Sequence, residues 1–163
     1  MPDTITPYDV APALANWTRR VAGMYVKDLK ALSPDAYLSS SGGVARSAKE
    51  FTLEVISFNY FGAMLLNGEA PPNPTDEEKA AFAASLDSIE NACNAVTASA
   101  EALADAMQAN GHRFAERVTA PWGEEMDVYT LANLCANHIM YHDGQLNIVQ
   151  SLNGDATMHW SDA

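Results

Sequence analysis

Positive charge is scarce: 9 basic residues stand against 21 acidic ones, for a formal net charge of −12. A surface of that sign repels phosphate backbones and offers no basic stripe, so no nucleic-acid partner is expected and the charge reads as an aid to solubility. Cysteine is scarcer still. Cys93 and Cys135 stand far apart with no CxxC spacing, which speaks against a disulfide framework or a zinc-thiolate knuckle. Both fall at apolar helical positions and read as small buried hydrophobes. No apolar run approaches the roughly eighteen residues of a membrane span. The opening "MPDTITPYDV" lacks the basic and apolar regions of a signal peptide. No membrane contact is therefore expected, and the cytoplasm is the expected location. Internal repeats and long linkers are missing too.

What is present is 163 residues, 48% of them apolar. That is enough chain for one domain, residues 1–163, with a substantial core. Four helical segments emerge between recognisable breakers. The first runs from about Tyr8 to Ala31 and stops before "SPDAY"; its apolar residues Leu14, Trp17, Val21 and Met24 alternate steps of three and four. The second follows "SSSGGVA" and covers about Ser47 to Asn67, ended by "GEAPPNPT". The third opens with Thr75 and Glu78 in a capping-box pattern and is expected to run unbroken to Ala109, where "NG" closes it. Phe82, Leu86, Ile89, Cys93, Val96, Ala100, Leu103 and Met107 give it a continuous seam of the kind helices use in a bundle. The fourth begins near Asp127 as N-cap and ends about Leu152, with Asn153-Gly154 as its stop.

Before that fourth helix, "GHRFAERVTAPWGEEM" reads as a short irregular or hairpin-like excursion turning at "APWGEE". After it, about 155–163 form a tail or a short packed extension. The fold expected is all-α: a four-helix bundle with a long connection between the second and third helices. Trp17, Trp122 and Trp160 read as packing anchors, Trp160 docking the tail on the bundle or on a partner.

Polar groups interrupt two of the apolar stripes. On the fourth helix the inward stripe reads Leu131, Leu134, His138, His142, Gln145, Val149, Leu152. Residues four apart lie one above the other, so both imidazoles can reach a single ion. On the second helix the stripe is Phe51, Glu54, Phe58, Phe61, Leu65. An ionised carboxylate among aromatic rings is costly unless something pairs with it, and Arg46 and Lys49 fall off that face. One resolution joins the two anomalies: Glu54, His138 and His142 converge on one divalent ion with positions left open for water or substrate. Two imidazoles and one carboxylate suit zinc, nickel, iron or manganese. Two other resolutions are metal-free: Glu54 hydrogen-bonds to a histidine in a buried polar cluster that fixes helix register, or a tilt of the helices places it at the rim.

The remaining polar candidates have plainer readings. Gln145 either positions a metal-bound water or ties the fourth helix to a neighbour, and the structural role is the expected one. Tyr141 lies beside the site in sequence and either hydrogen-bonds at the pocket behind the ligands or, as the expected case, is a core tyrosine. Asn59 lies five residues after Glu54 and reads as an interhelical contact or a donor behind the ligands. Asp143 is expected to face solvent or cap. His112 and His159 read as surface histidines, with the tail around His159 free to fold back.

The stretch "APWGEEMDVYTLANLCANHIMYHDGQLNIVQSLNG" resembles the C-terminal signature of the DinB-like (YfiT-like) superfamily, in which a "PWGE" turn precedes a helix carrying HxxxHxGQ. His138, His142, Gly144 and Gln145 match that motif, and the order of helices extends the likeness over most of the chain. Members of that superfamily typically hold a divalent metal with three histidines, the first on the second helix. Here no histidine precedes His112, and Glu54 stands in the matching helix. The resemblance implies a metal-dependent enzyme, with thiol-dependent S-transferases and isomerases using mycothiol or bacillithiol among its relatives. It also implies a small-molecule substrate and a homodimer as one possible assembly. A non-catalytic metal- or ligand-binding bundle and a metal-dependent hydrolase are the alternatives, and no catalytic residue is assigned.

Overall fold

A computed structural model describes residues 9–120 and 122–162, with side chains described up to residue 160. Tyr8, Pro121 and Ala163, which bound or belong to expected elements, lie outside these. In chain order the elements are α1 (Val10–Ala31), α2 (Pro34–Leu38), α3 (Ala48–Leu66), α4 (Asp76–Ser85), α5 (Ile89–Ala109), β1 (Arg117–Thr119), β2 (Glu125–Asp127) and α6 (Val128–Leu152). The architecture is thus mostly helical, as expected. Four long helices make the body: α1 and α3 each pack against both α5 and α6. Single 3-10 turns follow α5, at Gly111–Arg113, and close the described chain at His159–Asp162.

The helix ends follow from side-chain capping. Ser47 with Glu50 and Thr75 with Glu78 each form a reciprocal capping box at the starts of α3 and α4. The Asp127 side chain accepts from the Thr130 N–H at 2.7 Å to start α6. Asn153 ends α6, and Gly154 follows with φ of 88°, the left-handed stop that favours glycine. The excursion before α6 is a small antiparallel ribbon pairing Arg117 with Asp127, Val118 with Met126 and Thr119 with Glu125. Two further bonds, Val128 N–H to Glu116 O and Tyr129 N–H to Phe114 O, anchor the first turn of α6 to that ribbon.

The expected third helix is two helices. It breaks at Leu86, whose backbone (φ −94°, ψ 42°) leaves the helical region, and restarts at Ser88, whose side chain accepts from Asn91 N–H. Serine offers the chain a local bond that competes with helix continuation. The break drops the Leu86 side chain into the core at 1% exposure. The Leu86 carbonyl so released accepts from the buried Tyr37 hydroxyl at 3.1 Å. Tyr37 sits on α2, a five-residue helix capped by Ser33 with Pro34 in its first turn, within a segment read above only as a stop. The outer piece, α4, buries none of its residues.

Two stripes are also rotated from expectation. On α3 the buried line is Phe51, Val55, Ile56, Asn59, Gly62, Ala63 and Leu66, and Glu54, Phe58, Phe61 and Leu65 run along its border. On α6 the line is Leu131, Cys135, Ile139, His142, Leu146 and Val149, whereas Leu134 and Leu152 are exposed. Each helix faces two neighbours, so its buried sector is wider than a single seam and centred elsewhere. Small residues set the spacing: a Cβ on Gly62 would stand 2.5 Å from Cys135 Sγ. Both cysteines are buried, as expected. Trp17 and Trp122 are exposed rather than buried anchors.

The core falls into two apolar clusters, one around Tyr25, Ile56 and Ile139, the other around Leu66, Leu103 and Leu131. Thr18, Asn59 and Ser99 are fully buried polar residues; Thr18 on α1 and Asn59 on α3 lie between the buried parts of their helices that enter the two clusters, and Ser99 lies near the end of the part of α5 that enters the first. Asn59 Nδ2 donates to Ser99 Oγ at 3.1 Å, tying α3 to α5. Asn59 is therefore the interhelical contact and not a donor behind the ligands.

Candidate metal centre

His138 and His142 project from adjacent turns of α6 toward the edge of α3 that carries Glu54. His138 Nε2 and His142 Nε2 are 3.2 Å apart. Glu54 Oε1 lies 3.5 Å from each of them. An ion with bonds of about 2.1 Å in tetrahedral geometry requires donors roughly 3.4 Å apart. The three atoms already stand at that separation, and among the described residues they form the one group of His, Cys, Asp and Glu side chains able to hold a metal ion.

Hydrogen bonding makes the fit chemical as well as geometric. His142 Nδ1 lies 2.7 Å from Gln145 Oε1. An amide oxygen only accepts, so Nδ1 carries the hydrogen and neutral His142 presents a bare Nε2. Burial lowers the pKa of His142, outweighing the opposing pulls of Gln145 and Glu54. Burial and His142 together lower that of His138. The bare His142 Nε2 and Glu54 Oε1 therefore point their lone pairs at the space that His138 Nε2 also borders, an arrangement a cation relieves. His142 is fully buried, with the Phe51 ring stacked at 5.9 Å and the Tyr141 ring edge-on at 4.9 Å. Phe58 lies over His138 at 4.3 Å.

Glu54 corrects one premise of the sequence reading. Its side chain is 42% exposed, at the rim rather than among the rings, and it is paired with Arg46. Arg46 precedes the Ser47 cap, so it is not on the helix and its placement does not follow the helical wheel. Burial pushes the Glu54 carboxyl up, but the Arg46 hydrogen bond and neighbouring charge overcome it and hold the group below the usual range.

Beside Glu54 a cavity of about 430 Å³ opens between α3 and the connection leading to α4, walled by Phe58, Phe61, Met64, Pro72 and Phe82. Trp122 stacks on Phe58 and reaches Phe61 from the far side. Phe82 was read above as a seam residue of the third helix and the prolines only as a turn, so neither was expected to wall a cavity.

A model of the DinB superfamily matches residues 16–146. The chain belongs to the DinB superfamily. The matched span carries all three converging donors and Gln145. No curated protein matches the chain.

The other candidates of this DinB superfamily chain divide clearly. Gln145 sits behind His142 and donates through Nε2 to the Tyr141 hydroxyl at 3.1 Å, so it ties α6 to no neighbour. Tyr141 is 63% exposed and no core residue. Asp143 neither faces solvent nor caps: it is fully buried. Burial first, then the charge and hydrogen bonding of Asp28, push its carboxyl up to about 8. Asp28 in turn accepts from Asn147 Nδ2 and Trp160 Nε1, each at 2.8 Å, so the tail docks on α1 through Trp160. His112 is exposed, and His159 pairs with Asp155 at 2.8 Å. No described helix is long and apolar enough to cross a membrane.

Proposed function

We propose that this chain is a four-helix-bundle enzyme that binds one divalent ion through Glu54, His138 and His142 and acts on a small molecule as a thiol-dependent S-transferase or isomerase. The observation that carries this reading is the meeting of two imidazole nitrogens and a carboxylate oxygen at ligand spacing. When bound there, a divalent ion lowers the pKa of a coordinated thiol, making a nucleophile at neutral pH. A set of two imidazoles and one carboxylate leaves such an ion with net positive charge, which favours an anionic fourth ligand such as a thiolate.

The chain's own groups account for the rest. Gln145 holds His142 in the tautomer that leaves Nε2 bare. Phe51 and Phe58 fix the two rings and restrict water around them. The apolar cavity beside Glu54 supplies room for an electrophilic substrate next to the ion.

The test is metal analysis of protein purified without chelator and supplemented in turn with zinc, nickel, iron and manganese. Conjugation of small thiols to an aryl halide by the loaded protein is then followed by absorbance. One ion per chain and thiol-dependent turnover, both lost in Glu54→Ala and His142→Ala, is the expected result. No stoichiometric metal under any supplementation overturns the reading. Metal uptake with ligand-dependent stabilisation but no turnover identifies the non-catalytic binding bundle instead.

A further inference from the structure

The cavity beside Glu54 does not end there. A second one, about 640 Å³, adjoins it and shares Glu54, Ser57, Pro74 and Phe82. The first is apolar along its length. The second carries the charge: Arg46, Lys79, Glu50 and Glu78 line it.

Most of those charges are already committed to local structure. Glu50 Oε2 accepts from the Ser47 N–H at 2.7 Å, and Glu78 Oε2 from the Thr75 N–H at 2.7 Å, each closing a capping box. Lys79 Nζ donates to Asp76 at 3.2 Å on the same helix. Arg46 differs. Its guanidinium lies 5.2 Å over the Phe51 ring, and its carboxylate partner is Glu54, the residue that also faces both histidines. Glu54 thus serves two sides at once, the guanidinium through Oε2 and the triad through Oε1.

We infer that the two cavities form one cleft for an apolar molecule bearing a single anionic group, and that Arg46 receives that group when an ion at the triad draws off the charge of Glu54. The inference rests on the metal reading above and names the substrate class of the same site. A carboxylate suits Arg46 because the planar guanidinium offers paired donors matched to two oxygens, and Phe51 holds the fork flat at the cleft's polar end. In a chain of net charge −12 an anion is otherwise repelled, so one dedicated cation beside an apolar wall selects for this class. Metal and anion then bind with positive coupling, since an ion that shares Glu54 leaves the Arg46 guanidinium less neutralised, and the coupling is reciprocal.

The probes are 4-phenylbutyrate and its uncharged amide, titrated calorimetrically into metal-loaded and metal-free protein, with metal uptake measured separately. The expected result is a preference for the carboxylate of roughly tenfold to a hundredfold in loaded protein, the range of one charge-assisted bond, and little preference without metal. Arg46→Gln erases the preference yet binds metal at least as tightly as wild type, because a positive charge beside the triad has gone. Lys79→Gln leaves the preference intact. If metal binds but carboxylate and amide bind alike, the inference falls while the metal reading stands. A preference surviving Arg46→Gln places the carboxylate elsewhere and overturns it too. Weakened metal uptake in Arg46→Gln assigns Arg46 merely to positioning Glu54, again against the inference. Absence of metal uptake in wild type removes the metal reading itself.

Discussion

Nδ1 of His142 and Oε1 of Gln145 lie 2.7 Å apart, three residues apart on α6, and that bond decides which nitrogen of the ring faces Glu54. Supporting bonds of this kind typically change metal affinity by about 10–100-fold when lost. Gln145→Leu is therefore expected to weaken metal binding within that range and to leave the fold unchanged, since Gln145 is only half-buried. Calorimetric titration beside a circular dichroism spectrum checks both halves; an unchanged affinity denies the tautomer argument.

Metal should also stabilise. An ion that binds only the folded chain, held a thousandfold above its dissociation constant, adds about 4 kcal/mol. A matching rise in urea midpoint, reversed by chelator, is expected of wild type. Neither His142→Ala nor Glu54→Ala should show it.

Asp143 predicts the pH profile. Its carboxyl titrates near 8 in the folded chain, against about 3.9 for an unfolded aspartate. Between those values the native protein holds a proton that the unfolded chain has released. The contribution is therefore full below about pH 4 and is lost as pH rises through about 8. His138 and His142, with lowered values, slope the other way: their contribution is present above about 6.5 and lost as pH falls. Asp143→Asn removes only the first slope. Measured by denaturation across pH 4–9, the variant is expected to gain about 1–3 kcal/mol on wild type at the alkaline end, where wild type carries a buried unpaired anion. Parallel curves for the two proteins would contradict the assignment.

Gly62 and Cys135 are coupled through space. Gly62→Ala brings a methyl to 2.5 Å from Cys135 Sγ, and overpacking of that kind costs about 1–3 kcal/mol. The double variant Gly62→Ala/Cys135→Ala removes the clash and is expected to recover part of the loss. A double-mutant cycle in urea measures it, and strict additivity would show that the helices simply move apart.

The sequence was most readable where one local interaction decides the outcome. Ser47, Thr75 and Asp127 each announced a helix start, and each caps one. The spacing of His138 and His142 likewise survives folding, because it is fixed by one helix. Reading failed where tertiary contact chooses among local options. The run from Phe82 to Met107 has a helix-compatible period throughout, and only the buried Tyr37 hydroxyl waiting for the Leu86 carbonyl reveals the break. Asp143 looks like a surface acid until Asp28, Asn147 and Trp160 close around α1 and α6. Glu54 was found for a reason partly mistaken: it is half-exposed, and its guanidinium partner arrives from outside the helix.

The break after Ser85 also separates two kinds of requirement. The three candidate donors sit on α3 and α6, rods held rigid by the shared interior, whereas the opposite wall of the cleft hangs on α4 and the proline-rich arm before it, which contribute almost nothing to that interior. Replacing Pro72 or Phe82 is therefore expected to reshape what the cleft admits while Glu54, His138 and His142 keep their places. Such a division would let specificity drift on one wall without disturbing the rods opposite it.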